Sequence, residues 1–152
     1  MTAAGEKYCG FPHHACYVRW NRRRIPARRS GHLRGGEAYI FNLPEMPCDL
    51  RIVSCAASPA ELGLARDPRV FGVALRRIVV RKNARFRIAD ALDQRLTTGF
   101  HTFESDNCFR WTDGDAAIPP ELLAGFTPPI ELILYVAATT RYVLDGLVRS
   151  AA

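Results

Sequence analysis

From Gly36 onward the chain breaks into short apolar runs, each closed by turn-forming residues, and this punctuation limits the fold more than any other feature. Residues 38–43 form an apolar run that stops at Pro44, and residues 49–54 alternate Leu50, Ile52 and Ser54 with Asp49, Arg51 and Val53. Residues 72–81 are the strongest strand pattern, and residues 85–88 return after Lys82, Asn83 and Ala84. Residues 130–136 are almost continuously apolar, as suits a strand covered on both faces, and residues 141–144 close the set. Such runs, spaced about eight to twelve residues apart, predict an antiparallel β-sandwich of jelly-roll type with eight or nine strands. The single helical expectation is a short segment at 119–125, opened by Pro119 and Pro120 and ended by Gly125.

Parity along the strands carries finer information, because successive side chains point to opposite faces. In residues 72–81, Val73, Leu75 and Val79 share one parity with Arg77, while Ala74, Ile78 and Val80 share the other with Arg76. An inward face that changes parity midway predicts a bulge near Arg76 and Arg77. Arg85 and Arg87 alternate cleanly with Phe86 and Ile88, and arginines in such a pattern are expected on a solvated outer face.

Charge divides the chain unevenly. The net charge of the 152 residues is +6. Residues 1–35 hold eight Lys or Arg against the single acid Glu6, a local +7, and residues 36–152 hold thirteen bases against fourteen acids. The first 35 residues, with Pro26 interrupting their basic run, therefore read as a disordered basic arm, and 36–152 as one β-sandwich domain. Arg22, Arg23, Arg24, Arg28 and Arg29 are its candidate phosphate contacts, so nucleic acid is an expected partner only through this arm. Apolar runs never reach the length of about eighteen residues that a membrane-spanning helix needs. Met1 to Gly10 lacks the apolar centre of a signal peptide, which makes the cytoplasm the default expectation.

The inventory offers little catalytic chemistry. Three of the four histidines, His13, His14 and His32, fall in the basic segment and leave only His101 in the body. No Gly-x-Ser-x-Gly frame occurs, so a nucleophile–base–orienter arrangement has no local signature. Cys9, Cys16, Cys48, Cys55 and Cys108 are spaced unlike a zinc knuckle and read as reduced thiols. Neither a metal nor a cofactor is expected. What the body does offer is a hairpin, residues 99–104 returning through 109–115, with Glu104, Arg110, Trp111, Asp113 and Asp115 as weak ligand-binding candidates. Asp113, Gly114 and Asp115 are first a turn sequence. The same acids, with Glu104 and Asp106, allow a calcium contact or the acid–base pair of a glycoside hydrolase as alternatives. Trp111 facing inward would be a core anchor, with Glu104 and Arg110 paired across the hairpin. Facing outward, it would be a platform for a sugar ring, with Arg110 buried or paired.

Residues 50–54, 58–61, 66–73, 99–104 and 110–114 together resemble the C-terminal β-rich extension of bacterial proteins that carry a Hint (Hedgehog/intein) domain. The resemblance spans about residues 37–145. The nucleophilic cysteine and histidine-bearing block of a Hint domain are absent from this sequence, so the resemblance implies an accessory β domain and no autoprocessing. It carries no site residues onto this chain. The expected function is a non-enzymatic module that binds a glycan or a neighbouring protein domain.

Overall fold

A computed structural model describes residues 16–139 apart from 22, 61, 62, 64 and 65. Within them the chain is almost entirely β, with no α-helix. The ten strands are β1 (Cys16–Trp20), β2 (Arg23–Ile25), β3 (Arg29–Leu33), β4 (Gly36–Leu43), β5 (Leu50–Ser54), β6 (Val73–Lys82), β7 (Arg85–Asp90), β8 (Arg110–Trp111), β9 (Asp115–Ala117) and β10 (Ile130–Thr139). The helix expected at 119–125 is a single 3-10 turn, Pro120–Leu122, with proline at its first position. The strand expected at 141–144 lies outside the described residues.

All strand pairs are antiparallel, in a four-stranded sheet ordered β2-β1-β5-β9 and a six-stranded one ordered β3-β4-β10-β6-β7, with β8 also on β6. The arrangement is sandwich-like, and this order does not establish the jelly-roll connectivity. One core draws on both sheets: Val18, Trp20, Leu50 and Ile52 from the smaller, and Phe41, Leu75, Ile78, Val80, Leu132 and Leu134 among others from the larger. Fully burying each such aliphatic or aromatic side chain contributes about 1.5–3 kcal/mol.

Strands β1–β3 belong to the segment expected to be a loose arm. They pair with β5 and β4, Val18 and Trp20 are buried, and the expected boundary at residue 35 falls inside the β3–β4 hairpin. The physical reason is visible in β1, where Val18 and Trp20 point inward and Arg19, between them, stays partly exposed. A high arginine count hid a half-buried strand.

The parity change in β6 is a bulge, as expected. Arg77 pairs with Tyr135 and Leu75 with Val136, so Arg76 is the extra residue, and both arginines are exposed there. Strand β7 reverses the expected faces. Arg87 reaches over the core edge to donate to the carbonyls of Glu121, Leu122 and Ala124 at 2.9, 3.0 and 2.7 Å, and Arg85 donates to Gly125 at 2.9 Å. Both guanidiniums also lie over the Phe126 ring. Phe86 and Ile88 are left on the outer face, exposed.

Candidate functional site

The 99–117 segment crosses from one sheet to the other: β8 lies on β6 in the larger sheet and β9 on β5 in the smaller. At the crossing, the Gly72 amide donates to the Thr112 carbonyl at 2.7 Å, the Thr112 amide to Val73 at 2.8 Å, and the Ser54 amide to Gly114 at 3.0 Å. The Thr112 hydroxyl accepts from the Val73 amide at 3.1 Å. Gly72 has no room for a side chain in this seam, because a Cβ would stand 2.6 Å from both the Ser54 and Thr112 hydroxyl oxygens. Gly114 holds φ +103°, the left-handed region that glycine adopts without strain.

This seam sets the direction of Trp111. Trp111 pairs with Ala74 and Arg110 with Leu75, and Leu75 is in the core while Ala74 faces the other way. Trp111 is therefore half-buried on the face of the larger sheet opposite the main core, where Ala74 is fully buried, and this departs from the inward reading. Phe109 and Phe71 meet it edge-on, with ring centroids at 5.6 and 5.2 Å, and the His101 ring is 5.2 Å from Phe71. Edge-to-face packing of this kind fixes rings more firmly than apolar contact alone. His101 is anchored by Nε2, which donates to the Val70 carbonyl at 2.6 Å, since a carbonyl can only accept.

A charged rim adjoins the rings. The Arg69 guanidinium carbon lies 4.9 Å from the Phe71 centroid and its Nη2 donates to Asp67 at 2.6 Å. Hydrogen bonds from the Arg69 side chain, then from its backbone amide, hold the Asp67 carboxyl at about 2, below its ordinary 3.8.

The other predicted site residues disperse. Glu104 forms an isolated β-bridge with Phe109, and its carboxylate accepts from the Asn107 amide at 2.9 Å. Arg110 points inward and donates to the Leu96 carbonyl at 2.6 Å, so the expected Glu104–Arg110 pair does not form. Burial lowers the Arg110 pKa, its Nε is enclosed without a partner, and the charge of Asp93 acts in the opposite direction. Asp113 is exposed and accepts the Asp115 amide at 2.9 Å, as in an Asx turn. The Asp115 carboxylate sits on the smaller sheet between Arg19 Nη2 at 3.1 Å and Arg51 Nε at 2.6 Å. That hydrogen bond raises the Arg51 pKa. Among the described residues no group of three or more His, Cys, Asp or Glu side chains gathers to hold a metal ion.

Of the basic segment's candidates, Arg23, Arg24 and Arg28 are exposed, and Arg28 lies 4.0 Å from Glu131. Arg29 is in β3 with its side chain outside the description, and Arg22 lies outside the described residues. Register aligns Arg24 with Arg19 and Arg19 with Arg51 across the smaller sheet. Among the described residues, no helix is long and apolar enough to cross a membrane.

The aromatic cluster was only half legible. Phe109 and Trp111 are two residues apart and so share a face, a signal that was available. Phe71, Arg69 and Asp67 come from a distant loop, brought in by the Gly72–Thr112 pairing and the His101–Val70 hydrogen bond. No family model, curated protein or solved structure matches this chain.

Proposed function

We propose that this chain is a non-enzymatic recognition module that binds a glycan through the surface formed by Trp111, Phe109, Phe71 and His101. The observation that supports it most is the outward Trp111, held by edge-on rings and bordered by the Arg69–Asp67 pair. A sugar ring presents a C–H face to aromatic rings and hydroxyls to flanking charged groups, and this surface sets half-buried rings beside the Arg69–Asp67 pair. The accessory role agrees with the resemblance to extensions of Hint-domain proteins, which is itself part of the proposal. The carboxylates considered for hydrolysis have structural partners instead: Asp115 lies between two guanidiniums, and Glu104 accepts from Asn107.

A glycan array probed with the intact chain and with Trp111→Ala tests the reading. Trp111 lies outside the core, so the variant is expected to fold and to lose the signal. An empty array, or the same signals from both proteins, would refute it.

The row Arg24–Arg19–Arg51 supports a second reading, polyanion binding on the outer face of the smaller sheet. Here the expected signature is affinity that falls steeply with salt and weakens in Arg24→Ala. Salt-independent binding would remove it.

A further inference from the structure

A second surface lies at the far end of the six-stranded sheet. A cleft of about 380 Å³ is lined by Asn42, Arg81, Lys82, Asn83, Pro129 and Glu131. That volume falls within the range of about 300–1,000 Å³ typical of small-molecule sites. Register places Asn42, Glu131, Arg81 and Phe86 side by side across β4, β10, β6 and β7, on one face of the sheet. Phe86 is 62% exposed there, the largest apolar side chain left open on that row.

The polar groups are positioned but not exhausted. Arg81 donates to Glu131 from Nε at 2.8 Å and from Nη2, which leaves Nη1 for a ligand. Lys82 Nζ donates to the carbonyls of Thr127 and Pro128, and an ammonium has a third proton to give. The Asn42 and Asn83 amides supply both donors and acceptors. Glu131 is the single acid in the lining, against Arg81, Lys82 and the nearby Arg28 at 4.0 Å. Cations therefore outnumber carboxylates, and planar hydrogen-bonding groups stand beside an open aromatic ring.

We infer that this cleft binds a saccharide bearing a carboxylate, with the sugar's apolar face on Phe86 and its carboxylate near Arg81 and Lys82. Arginine and carboxylate match through paired, charge-assisted hydrogen bonds, and the amides suit ring hydroxyls. The Trp111 surface is a different one, and neither proposal depends on the other.

Titration of the intact chain with trigalacturonate and with neutral trigalactose, followed by calorimetry, tests the inference. Phe86→Ala and Asn42→Ala change exposed side chains outside the core. Each is expected to weaken trigalacturonate binding by about tenfold or more, while Trp111→Ala leaves it unchanged. The neutral trisaccharide is expected to bind about tenfold more weakly or worse. Absence of trigalacturonate binding, equal affinity for the two trisaccharides, or affinity unaltered in both cleft variants would overturn it. Loss of binding in Trp111→Ala alone would assign the ligand to the other surface and overturn it equally.

Discussion

Gly72 shows how a single residue can govern the site. Its missing side chain lets two hydroxyls and the Gly114 amide nitrogen, 2.7 Å from where a Cβ would stand, close the seam that turns Trp111 outward. Two of those three neighbours belong to the 112–114 crossing itself, so relief requires moving backbone. Gly72→Ala is expected to lower stability by about 1–3 kcal/mol in denaturant unfolding, as overpacking of a tight contact does. A change under about 0.5 kcal/mol, the range of a neutral surface substitution, would show that the seam relaxes freely. Asp67 makes a second statement at this scale. Its folded pKa of about 2 lies below the ordinary 3.8, so its contribution is complete above that value and is lost as pH falls through about 2. Carboxyl NMR should place the Asp67 midpoint near 2 in the native chain and return it towards 3.8 in Arg69→Gln. An unmoved midpoint would mean that Arg69 is not the cause.

Among the elements, β6 and β7 mark the limit of what sequence can say. The bulge at Arg76 was legible because a parity switch has one physical meaning, an inserted residue. The faces of β7 were not, since alternation defines two faces without saying which looks inward. Arginine ordinarily settles that question by facing water. Here the 3-10 turn and the residue pair after it present the carbonyls of Glu121, Leu122 and Ala124 to one side, and Arg87 turns inward to supply a hydrogen bond to each. Acceptors that far along the chain leave no trace in residues 85–88. The same ambiguity hid the direction of Trp111, whereas the turn at Asp113–Asp115 was plain from composition. Arg87→Met, which keeps the apolar stem, is expected to cost about 1–3 kcal/mol through the loss of three hydrogen bonds from a charged donor, the one to the Leu122 carbonyl part-buried. Hydrogen exchange should rise first at Leu122 and Leu123, whose amides bond within that turn. Protection unchanged in the variant would show that the turn is held by Phe126 packing instead.

At the scale of the molecule, the basic segment decides whether there is a sandwich at all. Without β1 and β2 the smaller sheet would keep only β5 and β9, and a pair that short cannot cover the inner face of the larger sheet. Charge distribution alone points to a detachable arm because it is blind to the residues between the arginines. Val18 and Trp20 are those residues, with Ile25 and Ala27 packed beside the same core. A chain starting at residue 36 is thus expected to lose the cooperative thermal transition of the intact protein, whereas a true arm could be removed without effect. Such a truncation also removes one edge of the larger sheet, so a point variant separates the contributions. Trp20→Ala is expected to cost about 3–5 kcal/mol, as an emptied aromatic core site does. Trp20→Phe should cost clearly less, since the buried Nε1 has no partner to lose and phenylalanine retains most of the packing. Equal stability of Trp20→Ala and the intact chain would detach β1 from the core and restore the arm. The predicted ordering instead makes the arginine-rich strand a wall of the fold, with the Arg24–Arg19–Arg51 row fixed on its outer surface.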